Sequence, residues 1–159
     1  MAQLDNLLDW CLRKGKEEKH RGLRKAKPDL KLGRRHLEKA DHYLKAGLFL
    51  RDNGFADIAV AQLFYAMYHC FLALLAKHGY ESRNQRCTFA AVEYLIAQGK
   101  ERLDDEWTNR VASYESTDDA ISLREEFQYG VETKVNPGKL ERLIEDAKEL
   151  LTVVRTLLA

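Results

Sequence analysis

Apolar residues recur at helical spacing along most of the chain, and in one stretch they leave almost no polar face. Ala61 to Tyr80, AQLFYAMYHCFLALLAKHGY, interleaves aromatics with small residues and carries almost no charge. The pattern predicts a central helix from Phe55 to about Lys77, ended by Gly79, onto which other helices pack from several sides. Before it, Leu37, Ala40, Leu44, Gly47 and Leu48 form one stripe of a helix running from Arg34 to a break at Asn53-Gly54. At the N-terminus, Leu4, Leu7, Leu8, Cys11 and Leu12 predict a short amphipathic helix over Asp5 to Lys14, with Trp10 helping to anchor it. Between these two, residues 15–33 hold three glycines, a proline and many cations, and read as a mobile basic connector.

Downstream, YESRNQRC leads to a fourth helix with Phe89, Val92, Tyr94, Leu95 and Ile96. A fifth is expected from Leu103 to about Tyr114, and Thr117 is placed as the N-cap of a turn leading into AISLREEFQYG. The last enters at Asn136-Pro137 and carries Leu140, Leu143, Ile144, Ala147, Leu150, Leu151, Val154, Leu157 and Leu158. The expected fold is all-α: a single domain over residues 1–159, built as a five- to six-helix bundle around an antiparallel two-helix hairpin.

Composition narrows the picture. A chain of 159 residues suits one domain with a hydrophobic core. Asp57, Gln62 and His69 interrupt the apolar run, which therefore reads as the core helix of a soluble protein, with no membrane partner. The first residues lack the pattern of a signal peptide, so the cytoplasm is expected. Cys11, Cys70 and Cys87 are odd in number and include no C-x-x-C pair, which predicts reduced thiols. The net charge of +1 hides a segregation. Residues 13–35 hold eleven Lys or Arg against three acids, a net of +8, whereas residues 101–132 hold three Arg against ten acids, a net of −7. The basic segment is suited to phosphate or to a solvated loop.

Candidate chemistry is sparse. A di-iron bundle needs two Glu-x-x-His pairs, and only Glu17 with His20 occurs, so no metal and no cofactor are expected. His36, His42, His69 and His78 have no nucleophile motif around them, and phosphate-cradling glycine loops are missing. His69 reads as a core histidine bonded to a hydroxyl or carbonyl. Phe64, Tyr65, Tyr68 and Phe71 read as packing more than as a base-stacking platform. Arg124, in the acidic stretch SLREEFQYG, is either a structural ion pair or a phosphate-binding fork. Arg83 and Arg86, around Asn84 and Gln85 at the start of the fourth helix, could add charge and amides to the same site.

Three stretches carry a family resemblance: Leu7-Leu8-Asp9-Trp10-Cys11, Phe64-Tyr65-Ala66-Met67-Tyr68-His69, and Leu123-Arg124 through Tyr129-Gly130. Together with the run from His36 to Cys87 they resemble the HEPN domain (higher eukaryotes and prokaryotes nucleotide-binding), particularly its small stand-alone members, whose fold is also like that of nucleotidyltransferase substrate-binding subunits. The resemblance implies an all-α homodimer, often encoded with a minimal nucleotidyltransferase as a toxin and antitoxin pair. It also implies, for catalytic members, a metal-independent RNase with an Arg-x4-6-His motif. Arg124 matches the arginine, but Tyr129 stands at the histidine position, and Gln85 stands where related members carry a second histidine. A tyrosine with a pKa near 10 is a poor base at neutral pH. The implied function is therefore nucleotide or RNA-phosphate binding through Arg124, Tyr129, Arg83, Gln85 and Arg86, with enzymatic activity the weaker alternative. In some such pairs the transferase modifies a tyrosine with AMP, which makes Tyr129 the residue to check. An active RNase would need His69 or His78 brought into the cleft; a third alternative is a helical scaffold.

Overall fold

The structure, a computed structural model, describes residues 1–112 and 119–159. In chain order its elements are α1 (Ala2–Lys16), β1 (Leu23–Lys25), α2 (Leu30–Asp52), α3 (Ala56–His78), β2 (Tyr80–Ser82), α4 (Gln85–Ala97), α5 (Glu106–Ala112), α6 (Ala120–Tyr129) and α7 (Pro137–Leu157). The all-α architecture is the expected one, with seven helices among the described residues rather than five or six and a small ribbon in addition.

Helix α3 is the axis of the core. It buries Val60, Leu63, Phe64, Met67, Phe71 and Leu74 on successive turns, because α2, α4, α6 and α7 all pack on it. It is long and apolar enough to cross a membrane, but most of that surface is covered within the bundle, as in a core helix of a folded domain. The α2–α3 hairpin turns at Asn53-Gly54, and Pro137 opens α7 with Asn136 capping it through Gly138 and Lys139.

At the far end of α3 the chain reverses at Gly79, whose φ of 78° is left-handed. A side chain there would also collide with the Ala26 carbonyl, 2.6 Å from where its Cβ would stand. Two boundaries differ from the sequence reading. α2 begins at Leu30 rather than Arg34, because the Asp29 side chain accepts from the Leu32 amide and starts the helix a turn earlier. α5 begins at Glu106 rather than Leu103, α6 is capped by Asp119 through the Ser122 amide, and the expected roles of Tyr114 and Thr117 lie outside the described residues.

The segment 15–33 is not a loose connector. β1 pairs antiparallel with β2, with Leu23 opposite Ser82 and Lys25 opposite Tyr80, and Leu23 is only 1% exposed. Gly22 approaches α1 so closely that a Cβ would stand 2.8 Å from the Lys14 Cβ, so a larger residue would push the strand off the helix. Cys11 and Cys87 are joined in a disulfide between α1 and α4, with Cα atoms 5.7 Å apart, which corrects the expectation of three reduced thiols. Cys70 alone keeps its thiol, and burial pushes its pKa up to about 12. Trp10 stays 39% exposed with Lys14 over its ring; Leu8 and Cys11 seat the helix instead.

Candidate nucleotide-binding site

Helix α6 turns Leu123 and Arg124 inward and leaves Glu125 and Glu126 outside. The guanidinium of Arg124 lies 4.7 Å from the centre of the Phe64 ring and 6.0 Å from that of Tyr65. Its Nη1 donates to the Tyr65 hydroxyl at 3.4 Å and to Gln128 Oε1 at 3.5 Å, and its Nη2 donates to Gln85 Oε1 at 3.5 Å. The residue is 7% exposed, and its buried Nε has no hydrogen-bond partner among the described residues. Glu125, on the same helix and half-exposed, brings a carboxylate oxygen to 3.7 Å.

These distances describe an arginine whose hydrogen bonding is unfinished. A charge-assisted bond from a guanidinium closes to about 2.7–2.9 Å, and the fork carries five donors. Among the described residues the hydrogen bonds of Arg124 are long and go to neutral oxygens, the Glu125 carboxylate stands farther off at 3.7 Å, and its planar face is held by an aromatic ring. An anion entering here would meet donors already oriented and incompletely used.

The site draws on three helices. Gln85 opens α4, whose start is fixed when the Asn84 side chain accepts from the Cys87 amide at 3.0 Å. Thr88 hydrogen-bonds both Ser82 and the Tyr68 hydroxyl, at 2.8 and 3.1 Å, which ties α4 to the α3 face that carries Tyr65. Of the five residues read as a site from the sequence, Arg124 and Gln85 meet directly. Arg83 is exposed and pairs with Glu81 at 3.3 Å, and Arg86 is exposed one residue beyond Gln85. Tyr129 is 74% exposed at the end of α6. Helical spacing explains the last case: the residue four along from Arg124 shares its face, and that residue is Gln128. Gln128 is legible from that spacing alone.

From Tyr65 a row of rings leads along the hairpin. Tyr65 lies 5.6 Å from Tyr43, Tyr43 stacks on His69 at 5.4 Å, and His69 Nδ1 meets His36 Nδ1 at 3.0 Å. The partner of His69 is thus another imidazole, in place of the expected hydroxyl or carbonyl, and the two rings must take opposite roles as donor and acceptor. Burial, then the neighbouring His36 and Lys39, lowers the His69 pKa to about 4. His36 is lowered by burial and then by Arg35, so the pair is neutral at pH 7. His78 is committed elsewhere: its Nε2 lies 2.8 Å from Glu101 Oε2, which also accepts from Lys77 at 2.9 Å. No group of three or more metal-ligating side chains occurs among the described residues.

A family model described as HEPN domain matches residues 34–157, most of the chain. The chain belongs to the HEPN family. No curated protein matches it. Membership supports a function related to nucleotides or RNA, and it brings Arg124, Gln85, Tyr65 and the histidine pair within the HEPN segment. α1, β1 and the first residues of α2 precede that segment.

Proposed function

We propose that this HEPN protein is a binding module for the phosphate of a nucleotide or RNA, with Arg124 as the anchoring cation. The observation that carries the reading is the buried guanidinium over Phe64, with long bonds to Tyr65, Gln85 and Gln128, the Glu125 carboxylate at 3.7 Å, and Nε without a hydrogen-bond partner among the described residues. In this reading the module works as a cytoplasmic homodimer beside a minimal nucleotidyltransferase, in a toxin and antitoxin arrangement. Tyr129, exposed at the end of α6, is then the acceptor to examine for AMP transfer.

Titration of the purified protein with AMP and with adenosine tests the anchor, using Arg124→Lys and Arg124→Gln beside the parent and thermal melts to verify folding. The expected result is that AMP binds the parent and adenosine does not, with the lysine variant at least about tenfold weaker, the cost of about 1.4 kcal/mol, and the glutamine variant weaker still. Equal AMP affinity in all three folded proteins would sink the proposal.

The His36–His69 pair favours a second reading, a metal-independent ribonuclease. His69, one helical turn from Tyr65 on α3, and His36 against it offer a proton acceptor where Tyr129 cannot serve as one. Labelled RNA incubated with EDTA discriminates: cleavage by the parent that is lost in both His69→Asn and Arg124→Lys supports the enzyme, and absence of cleavage by the parent removes it.

A further inference from the structure

The basic segment is folded against the rest of the protein, and its placement decides which surface it charges. The backbone amide of Arg21 donates to the Lys14 carbonyl at 3.4 Å, and the Gly22 carbonyl accepts from the Arg83 amide at 2.9 Å. The β1–β2 register and the Cys11–Cys87 bond hold α1 and β1 beside the start of α4. The Arg21-Gly22 stretch is thereby brought next to Arg83, two residues before Gln85, which accepts from Arg124.

Most of this charge is uncommitted. Lys14 pairs with Glu17 at 2.8 Å, and Arg24 is used on the carbonyls of Gly15 and Glu17. Lys16, Arg21 and Lys25 are exposed and have no ion-pair partner among the described residues. Between α1 and β1 lies a groove of about 490 Å³ lined by Leu12, Gly15, Lys16, Leu23, Arg24 and Lys25. Three cations lining one groove suit the phosphodiester backbone of a single strand, which such positively charged grooves track. The neighbouring cavity carries Asp5 and Asp9, whose charge limits an anionic ligand to the C-terminal half of α1.

We propose that this N-terminal annex binds the backbone of single-stranded RNA, extending the path from Arg124 past Arg86 and Arg21 to the groove of Lys16 and Lys25. The proposal rests on the phosphate-binding reading of Arg124 and adds a polymer to it. Residues outside the HEPN-matched segment then make a single-phosphate site into a track for several phosphates.

The test uses the full chain with a fluorescein-labelled oligouridylate, its anisotropy followed from 50 to 400 mM NaCl. Each phosphate neutralised on a single strand contributes about 0.7 to the slope of log K against log salt. The triple variant Lys16→Gln/Arg21→Gln/Lys25→Gln, all exposed positions, is expected to lower the slope by about 2 and the affinity at least about tenfold, while binding AMP as the parent does. An unchanged slope and affinity in the triple variant overturns the annex, whatever Arg124→Lys does to AMP. A parent that binds phosphatidylserine vesicles but no oligouridylate overturns it as well. Loss of AMP binding in Arg124→Lys with the oligonucleotide slope retained supports the annex as a separate contributor, whereas AMP binding unaffected by Arg124→Lys counts against the anchor alone.

Discussion

His36 and His69 face each other Nδ1 to Nδ1 at 3.0 Å across the α2–α3 hairpin, with Tyr43 stacked on His69 and Lys39 above the Tyr43 ring. Protonating either ring while the other holds its proton inward would break the contact and place a charge beside Lys39 or Arg35. The folded-state pKa of His69, about 4, lies below its ordinary value of 6.5. Above pH 6.5 both folded and unfolded chains are neutral here, and the pair contributes no pH dependence. As pH falls below 6.5 the unfolded chain takes up protons that the folded one refuses, so stability declines until the folded pKa is reached. Thermal melts between pH 7 and 5 should show a loss of about 1–2 kcal/mol that is smaller in His69→Asn. Asp41 and Glu101 also lose stabilisation in acid, but below that window, because both carboxyls are held under their ordinary values.

Glu101 should be the costliest acid to neutralise. Its side chain is 2% exposed and accepts from Lys77, from His78 and from the Arg102 amide at 2.8 Å. Burial alone would raise its pKa; the hydrogen bonds of Lys77 and His78 outweigh burial and leave it lowered. Its contribution is complete above pH 4.5 and disappears as the pH drops through the folded value. Glu101→Gln should cost about 2 kcal/mol or more at pH 7, read as a lower urea midpoint, and should flatten the decline of that midpoint below pH 4.5.

The cysteines make a counting experiment possible. Alkylation of the denatured protein should modify one residue, Cys70, without reductant and three with it. The Cys11–Cys87 bond closes a sequence separation of 76. Its loss through Cys87→Ser should lower unfolding free energy by about 2–4 kcal/mol. An equal urea midpoint with and without reductant would contradict this.

Gly79→Ala combines two penalties, a left-handed φ and a collision with the Ala26 carbonyl. A destabilisation of at least about 1–3 kcal/mol is expected, measurable by calorimetry. Gly54→Ala is the control: it too sits at positive φ, but open space surrounds its Cβ position, so its smaller cost isolates the backbone contribution.

Elements specified by their own sequence were legible. α3 and α7 carry unbroken apolar patterns with glycine and proline at their ends, and both lie within a residue or two of the expected bounds. β1 and β2 were not, because Leu-Arg-Lys and Tyr-Glu-Ser are too short to show alternation and become strands only through each other. The disulfide joins residues far apart in sequence, and an odd cysteine count conceals it. Arg124 could be picked out as an unusual cation in an acidic stretch. Its seat over Phe64 and its bond to Gln85 could not, since both depend on how three helices converge.

The covalent tie between α1 and α4 crosses the start of the HEPN-matched segment, with Cys11 before residue 34 and Cys87 after it. Trimming the chain to the matched residues would strand one sulfur and strip β2 of the strand it pairs with. The stretch matched by the family and the stretch held together by covalent and backbone bonds therefore have different borders in this molecule.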